Sequence, residues 1–144
     1  MNLSQHFTLE ELTASQTAVR KGIPNAPSSV VVANLTRLAA TLEKVRALTG
    51  PVSVSSGYRS FQLNAAVGGA RDSAHTLGLA ADITVSGMAP RDLAKAIRDA
   101  KIEFDQLIYE GTWVHIGLSS GAPRNQVLTA AFSGGRASYS AGIA

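Results

Sequence analysis

Cysteine is absent from the 144 residues. Its absence excludes disulfides, thiolate metal sites and cysteine nucleophiles together, so any metal must be held by His, Asp, Glu or water. A chain without thiols is most simply made in a reducing compartment. Long apolar runs are also missing: no stretch approaches the ~18–20 residues of a membrane span. The opening MNLSQHFTLEEL has no basic region followed by an apolar one, so no signal peptide is expected and the chain is expected to be cytoplasmic. Aromatic residues make up only 6%, and none is interleaved with the basic residues. The formal charge is +3, with Arg20 and Lys21 the one adjacent basic pair. That bias suits contact with an anionic surface, but nucleic acid would call for a denser patch. Neither a Gly-x-Ser-x-Gly nucleophile elbow nor a phosphate loop occurs.

What remains is a chain 45% hydrophobic, enough to fill one core in the size range of single domains. Thr8-Leu9-Glu10-Glu11 reads as a capping box opening a short helix. Gly22 to Pro27 is a turn-rich break, and Pro27 suits the first turn of the next helix. From Ser28 to Leu48, Val31, Leu35, Leu38, Leu42 and Val45 recur at spacings of three and four, which predicts a long amphipathic helix ended by Gly50-Pro51. Strands are expected at Val52–Ser55 and Leu79–Val85, and helices at Ser60–Ala66 and Pro90–Ala100. Phe104–Tyr109 and Trp113–Gly117 read as strands joined by a tight turn at Glu110-Gly111-Thr112. Val127–Phe132 adds another strand. Residues 133–144, rich in glycine and serine, are expected to form a flexible tail behind a domain spanning 1–132. Helices early and strands late make the class α+β: one compact domain with an antiparallel sheet flanked by helices.

Three histidines occur, His6, His75 and His115. His6, near the N-terminus, is read as structural or exposed. His75 is followed seven residues later by Asp82, inside the apolar run Leu79 to Ile83. Alternation sends Leu79, Ala81 and Ile83 to one face and Asp82 to the other. A carboxylate there is costly without a partner, and a metal ion would be one. Backbone donors would be another, leaving His75 an ordinary loop residue. In Trp113-Val114-His115-Ile116-Gly117, the apolar Val114 and Ile116 take the core face, so Trp113 and His115 share the opposite one. Two histidines and a carboxylate match the three protein ligands of a catalytic zinc site.

The ordered set Ser55-Ser56-Gly57-Tyr58-Arg59-Ser60, Asn64, Gly68-Gly69, Ser73-x-His75-x-x-Gly78-x-Ala80-x-Asp82 and Trp113-Val114-His115 resembles the zinc D-Ala-D-Ala carboxypeptidase family, peptidase M15. More narrowly, it is similar to the family's small single-domain branch of phages and prophages. The likeness runs from about Leu3 to Leu118 and includes Phe7-Thr8-Leu9-Glu10-Glu11-Leu12. It implies a hedgehog/D-Ala-D-Ala-peptidase-like fold, one Zn2+ held by His75, Asp82 and His115, and hydrolysis of peptidoglycan stem peptides. Arg59 matches the family arginine that contacts substrate, where a guanidinium fork fits a carboxylate or a carbonyl gaining charge.

A general base is also needed. Relatives carry an acid three positions before the last histidine ligand, and this chain has Thr112 there. Glu110, in the turn entering that strand, is the chosen base, with Asp105 the runner-up. Ser73, Tyr58 and Trp113 are candidates to contact substrate beside Arg59. The expectation is therefore a monomeric zinc peptidase acting on the cell wall after release, as an endolysin-type endopeptidase or a D-Ala-D-Ala carboxypeptidase. The alternative is a non-catalytic peptidoglycan-binding module with a structural zinc.

Overall fold

The computed structural model describes all residues, 1–144. Thr8 caps the first helix, α1 (Leu9–Thr13), its Oγ1 accepting from the Glu11 N–H at 3.1 Å. Ser15 caps α2 (Gln16–Lys21), which ends on Gly22 in the left-handed region. This second helix was not expected from the sequence. The long helix α3 spans Ser29–Thr49, with Ser28 as its cap. Pro27 therefore precedes the cap instead of occupying the first turn, because the Ser28 hydroxyl takes the Val31 N–H.

Strand β1 (Val52–Ser56) follows, then α4 (Phe61–Ala66), a 3₁₀ turn at Ala74–Leu77 and β2 (Ala80–Val85). Pro90 opens α5 (Pro90–Asp99), where its missing N–H costs nothing. Then come β3 (Gln106–Tyr109), β4 (Val114–Gly117), β5 (Gln126–Ser133) and β6 (Arg136–Ala141). One sheet runs in the order β1-β2-β4-β3-β5-β6. Every pairing is antiparallel except β3 with β5. The α+β class is as the element order predicts.

Within residues 133–144, the stretch expected to be a tail, β6 pairs with β5. Ser133 pairs with Arg136 across Gly134-Gly135, whose φ values are 57° and 77°. Two positive φ angles in a two-residue loop make the hairpin turn whose twist suits flanking strands, and glycine adopts them without steric penalty.

One face of the sheet packs against helices. Leu35, Leu38 and Leu42 of α3, Leu93 and Ile97 of α5, and Ile83, Leu107 and Ile116 of the strands are fully buried in one cluster. Burying each such side chain contributes about 1.5–3 kcal/mol. With that face committed to the core, alternation presents Asp82 and His115 on the other.

Candidate metal centre

Asp82 and His115 are direct cross-strand partners between β2 and β4. Side chains opposite one another start only ~5 Å apart, so the register alone brings the carboxylate and the ring together. His115 Nδ1 stands 3.1 Å from Asp82 Oδ1. His75 reaches the same oxygen from the 3₁₀ turn just before β2, with Nε2 at 3.3 Å. Two contacts hold it there: His75 Nδ1–H donates to Gly57 O at 2.7 Å, and His75 O accepts from the Arg59 N–H at 3.0 Å. With Nδ1 so engaged, Nε2 is free to ligate. The two rings meet edge-on, centroids 5.1 Å apart. One ligand atom from each of His75, Asp82 and His115 lies within 4.8 Å of the others, so the group could hold a metal ion.

Asp82 is 7% exposed. Burial alone would raise its carboxyl pKa, but hydrogen bonds and charge from His115 and His75 outweigh that and hold it well below the usual carboxylate range. A buried anion shared by two imidazoles is also what a cation would find on entering.

Arg59 forks across the site. Its Nε donates to Ser56 Oγ at 3.1 Å, one terminal nitrogen to Asn64 Oδ1 at 3.1 Å and the other to Asp82 Oδ2 at 3.4 Å. Burial pulls its pKa below the ordinary value, and the Asp82 charge works against that. Asn64 is buried, and its amide donates to Ala70 O at 2.8 Å. A Cβ at Gly69 would lie 2.0 Å from Asn64 Oδ1, so this loop needs glycine for close approach.

Glu110 is half-buried at the start of the β3–β4 turn, which its own N–H closes on Trp113 O at 3.0 Å. Its carboxyl pKa is raised, chiefly by burial; the His115 charge opposes the shift and the Asp82 charge adds to it. Asp105 is differently placed. Its two oxygens take Arg124 Nε at 3.1 Å and a terminal nitrogen at 2.8 Å, which holds its pKa low.

Ser73 Oγ accepts from the His75 N–H at 3.2 Å and so caps the 3₁₀ turn. Tyr58 is partly buried against the core. Trp113 packs on Phe132, ring centroids 6.4 Å apart. Burial first, and then the charge of Glu110, raise the Tyr139 phenol. His6 lies apart, bonded to Glu43. The sequence reading missed the parts played by Ser56 and by the carbonyl of Gly57. It also missed Phe132 and Tyr139, which the Gly134-Gly135 hairpin signal could have located.

No helix is long and apolar enough to cross a membrane. No curated protein matches the chain. A family model described as Peptidase M15 matches residues 5–117, a span that holds Arg59, Glu110, His75, Asp82 and His115 and stops short of β5. The chain belongs to the Peptidase M15 family.

Proposed function

We propose that this protein is a zinc-dependent peptidase that hydrolyses peptidoglycan stem peptides. The observation that carries the reading is the convergence of His75, Asp82 and His115 in a member of a peptidase family. Ligand atoms ~2.0–2.2 Å from a tetrahedral zinc stand roughly 3.3–3.5 Å apart. The two contacts to Asp82, 3.1 and 3.3 Å, are close to that, and the donor set of two imidazoles and one carboxylate suits the ion. The chemistry that a bound zinc supplies is acidification of a water and polarisation of the scissile carbonyl.

The chain's own residues would do the rest. Glu110, with a raised pKa and no ion-pair partner, accepts the proton of the attacking water and returns it to the leaving amine. Asp105, neutralised by Arg124, is poorly suited to that task. Arg59 faces the substrate carboxylate or the oxygen that gains charge, its plane held by Ser56 and Asn64. Trp113 and Tyr58 contact the substrate beside Arg59 in this reading, and Ser73 orients the His75 turn. In this reading the protein works as a monomer on the wall after release, as an endolysin-type endopeptidase or a D-Ala-D-Ala carboxypeptidase.

The test is digestion of purified peptidoglycan with added zinc, read by mass analysis of the released muropeptides. New amino or carboxyl termini should appear, and a chelator should abolish them. Cleavage that persists in His75→Ala would overturn the metal mechanism. Sedimentation with the wall and no release, even with saturating zinc, would point to a binding module instead.

A further inference from the structure

A groove of about 960 Å³ opens on the far side of Arg59, between α2 and the α4 region, with β1 as its floor. Thr17, Val19 and Arg20 line one wall, Val67 the other, and Ser56 and Arg59 the inner end. Ser56 and Arg59 link the inner end to the His75–Asp82–His115 cluster. Ser56 is the cross-strand partner of Asp82, and the Arg59 guanidinium touches both Ser56 and Asp82.

Three features describe the occupant. The two charged residues lining the groove, Arg20 and Arg59, are both cations, and no acid lines it. Arg59 is already paired with Asp82, whereas Arg20 takes part in no ion pair. The rims carry apolar side chains in water, Val19 at 84% and Val67 at 43% exposed. The floor is the outermost strand of the sheet, so one side of it faces no neighbouring strand. The volume is at the upper end of small-ligand sites, large enough for several peptide residues.

We propose that this groove holds the part of the peptide substrate that runs outward from Arg59, and that Arg20 pairs with a carboxylate on it. Arg20 is thus a specificity residue for acidic peptides. The inference rests on the peptidase reading above. It extends that reading from the metal to the surface that chooses the substrate.

The experiment compares L-Ala-γ-D-Glu-L-Lys-D-Ala-D-Ala bearing a free D-Glu α-carboxylate with the same peptide amidated there. Binding to the zinc-loaded protein is followed by amide chemical shifts, and cleavage is measured separately. The free acid should shift amides of α2 and β1, and Arg20→Glu should weaken its binding about tenfold while changing that of the amidated peptide less than about twofold. Arg20→Lys should retain part of the preference. Equal effects on the two peptides, no effect on either, no binding of either, or shifts confined to other elements would each overturn the groove. Binding with the expected preference but without cleavage would sink the peptidase reading and leave the groove standing. Cleavage indifferent to Arg20→Glu would do the reverse.

Discussion

Gly57→Ala tests how the His75–Asp82–His115 cluster is held from behind. An added Cβ would lie 2.2 Å from Leu12 O and 3.0 Å from Leu12 C. Both atoms are backbone and Leu12 is fully buried, so neither can rotate away. Restoring an ordinary contact requires the turn after β1 to move from α1 by about 1 Å. That displacement stretches the Tyr58 N–H bond to Leu12 O, now 2.8 Å. It also draws Gly57 O off His75 Nδ1, now 2.7 Å. Overpacking costs about 1–3 kcal/mol, and a lost buried hydrogen bond about 0.5–1.5 kcal/mol. The sum is a destabilisation of about 2–4 kcal/mol, together with a zinc affinity weakened about 10–100-fold through the loosened ligand. Urea unfolding of the chelated protein gives the first quantity and competitive zinc titration the second. Gly121→Ala is the control, since its Cβ meets nothing nearer than 3.9 Å and should cost no more than about 0.5 kcal/mol. Equal stability of the two variants, with zinc affinity unchanged in both, would refute the reasoning.

Glu110→Gln should lower kcat about 10²–10⁴-fold with zinc content unchanged. The wild-type kcat/KM should fall on the acid side at a pH above the ordinary glutamate pKa, because burial raises this carboxyl; a wild-type rate in the variant would remove Glu110 as the base. Arg59→Lys should lose about 10–100-fold in kcat/KM despite keeping its charge, since one ammonium cannot reach Ser56, Asn64 and Asp82 together. Full activity would show that the fork is dispensable. Glu43 accepts from Ser4 Oγ, the His6 N–H and His6 Nδ1; burial opposes ionisation, but these donors hold its pKa at about 2. A folded pKa below the unfolded one means its contribution is present above the unfolded value and fades as pH falls toward the folded one. Glu43→Ala should therefore cost about 1–2 kcal/mol near pH 7, after allowance for solvent screening, and almost nothing near pH 2. A gap of constant size across that range would contradict the assignment.

Much of this was legible because the relevant forces are local. The α3 spacing of three and four has only one inexpensive solution, and Asp82 between Ala81 and Ile83 announces a partner because its burial is costly. Other features left weaker traces. Helix α2 is six residues long, too short to show periodicity, and rests on Ser15 below and Gly22 above. Strand β6, Arg-Ala-Ser-Tyr-Ser-Ala, is exposed along its whole length, so no alternation of apolar and polar residues marks it. Its one signal was the glycine pair of the turn. The difference between the two candidate bases was harder still to read. Glu110 differs from Asp105 by what the chain brings to each, an Arg124 guanidinium in one case and a half-buried position near His115 in the other. Both environments come from distant segments: the crossover to β5 delivers Arg124, and the register of β2 with β4 sets His115 beside Asp82.

The most direct test of the account is the metal itself. Crystals grown with zinc should show, at the zinc absorption edge, one anomalous peak per chain in contact with His75 Nε2, the Asp82 carboxylate and His115 Nδ1. Glu110 should face the open coordination position. No peak there at saturating zinc, or a peak bound by other side chains, would contradict the central claim.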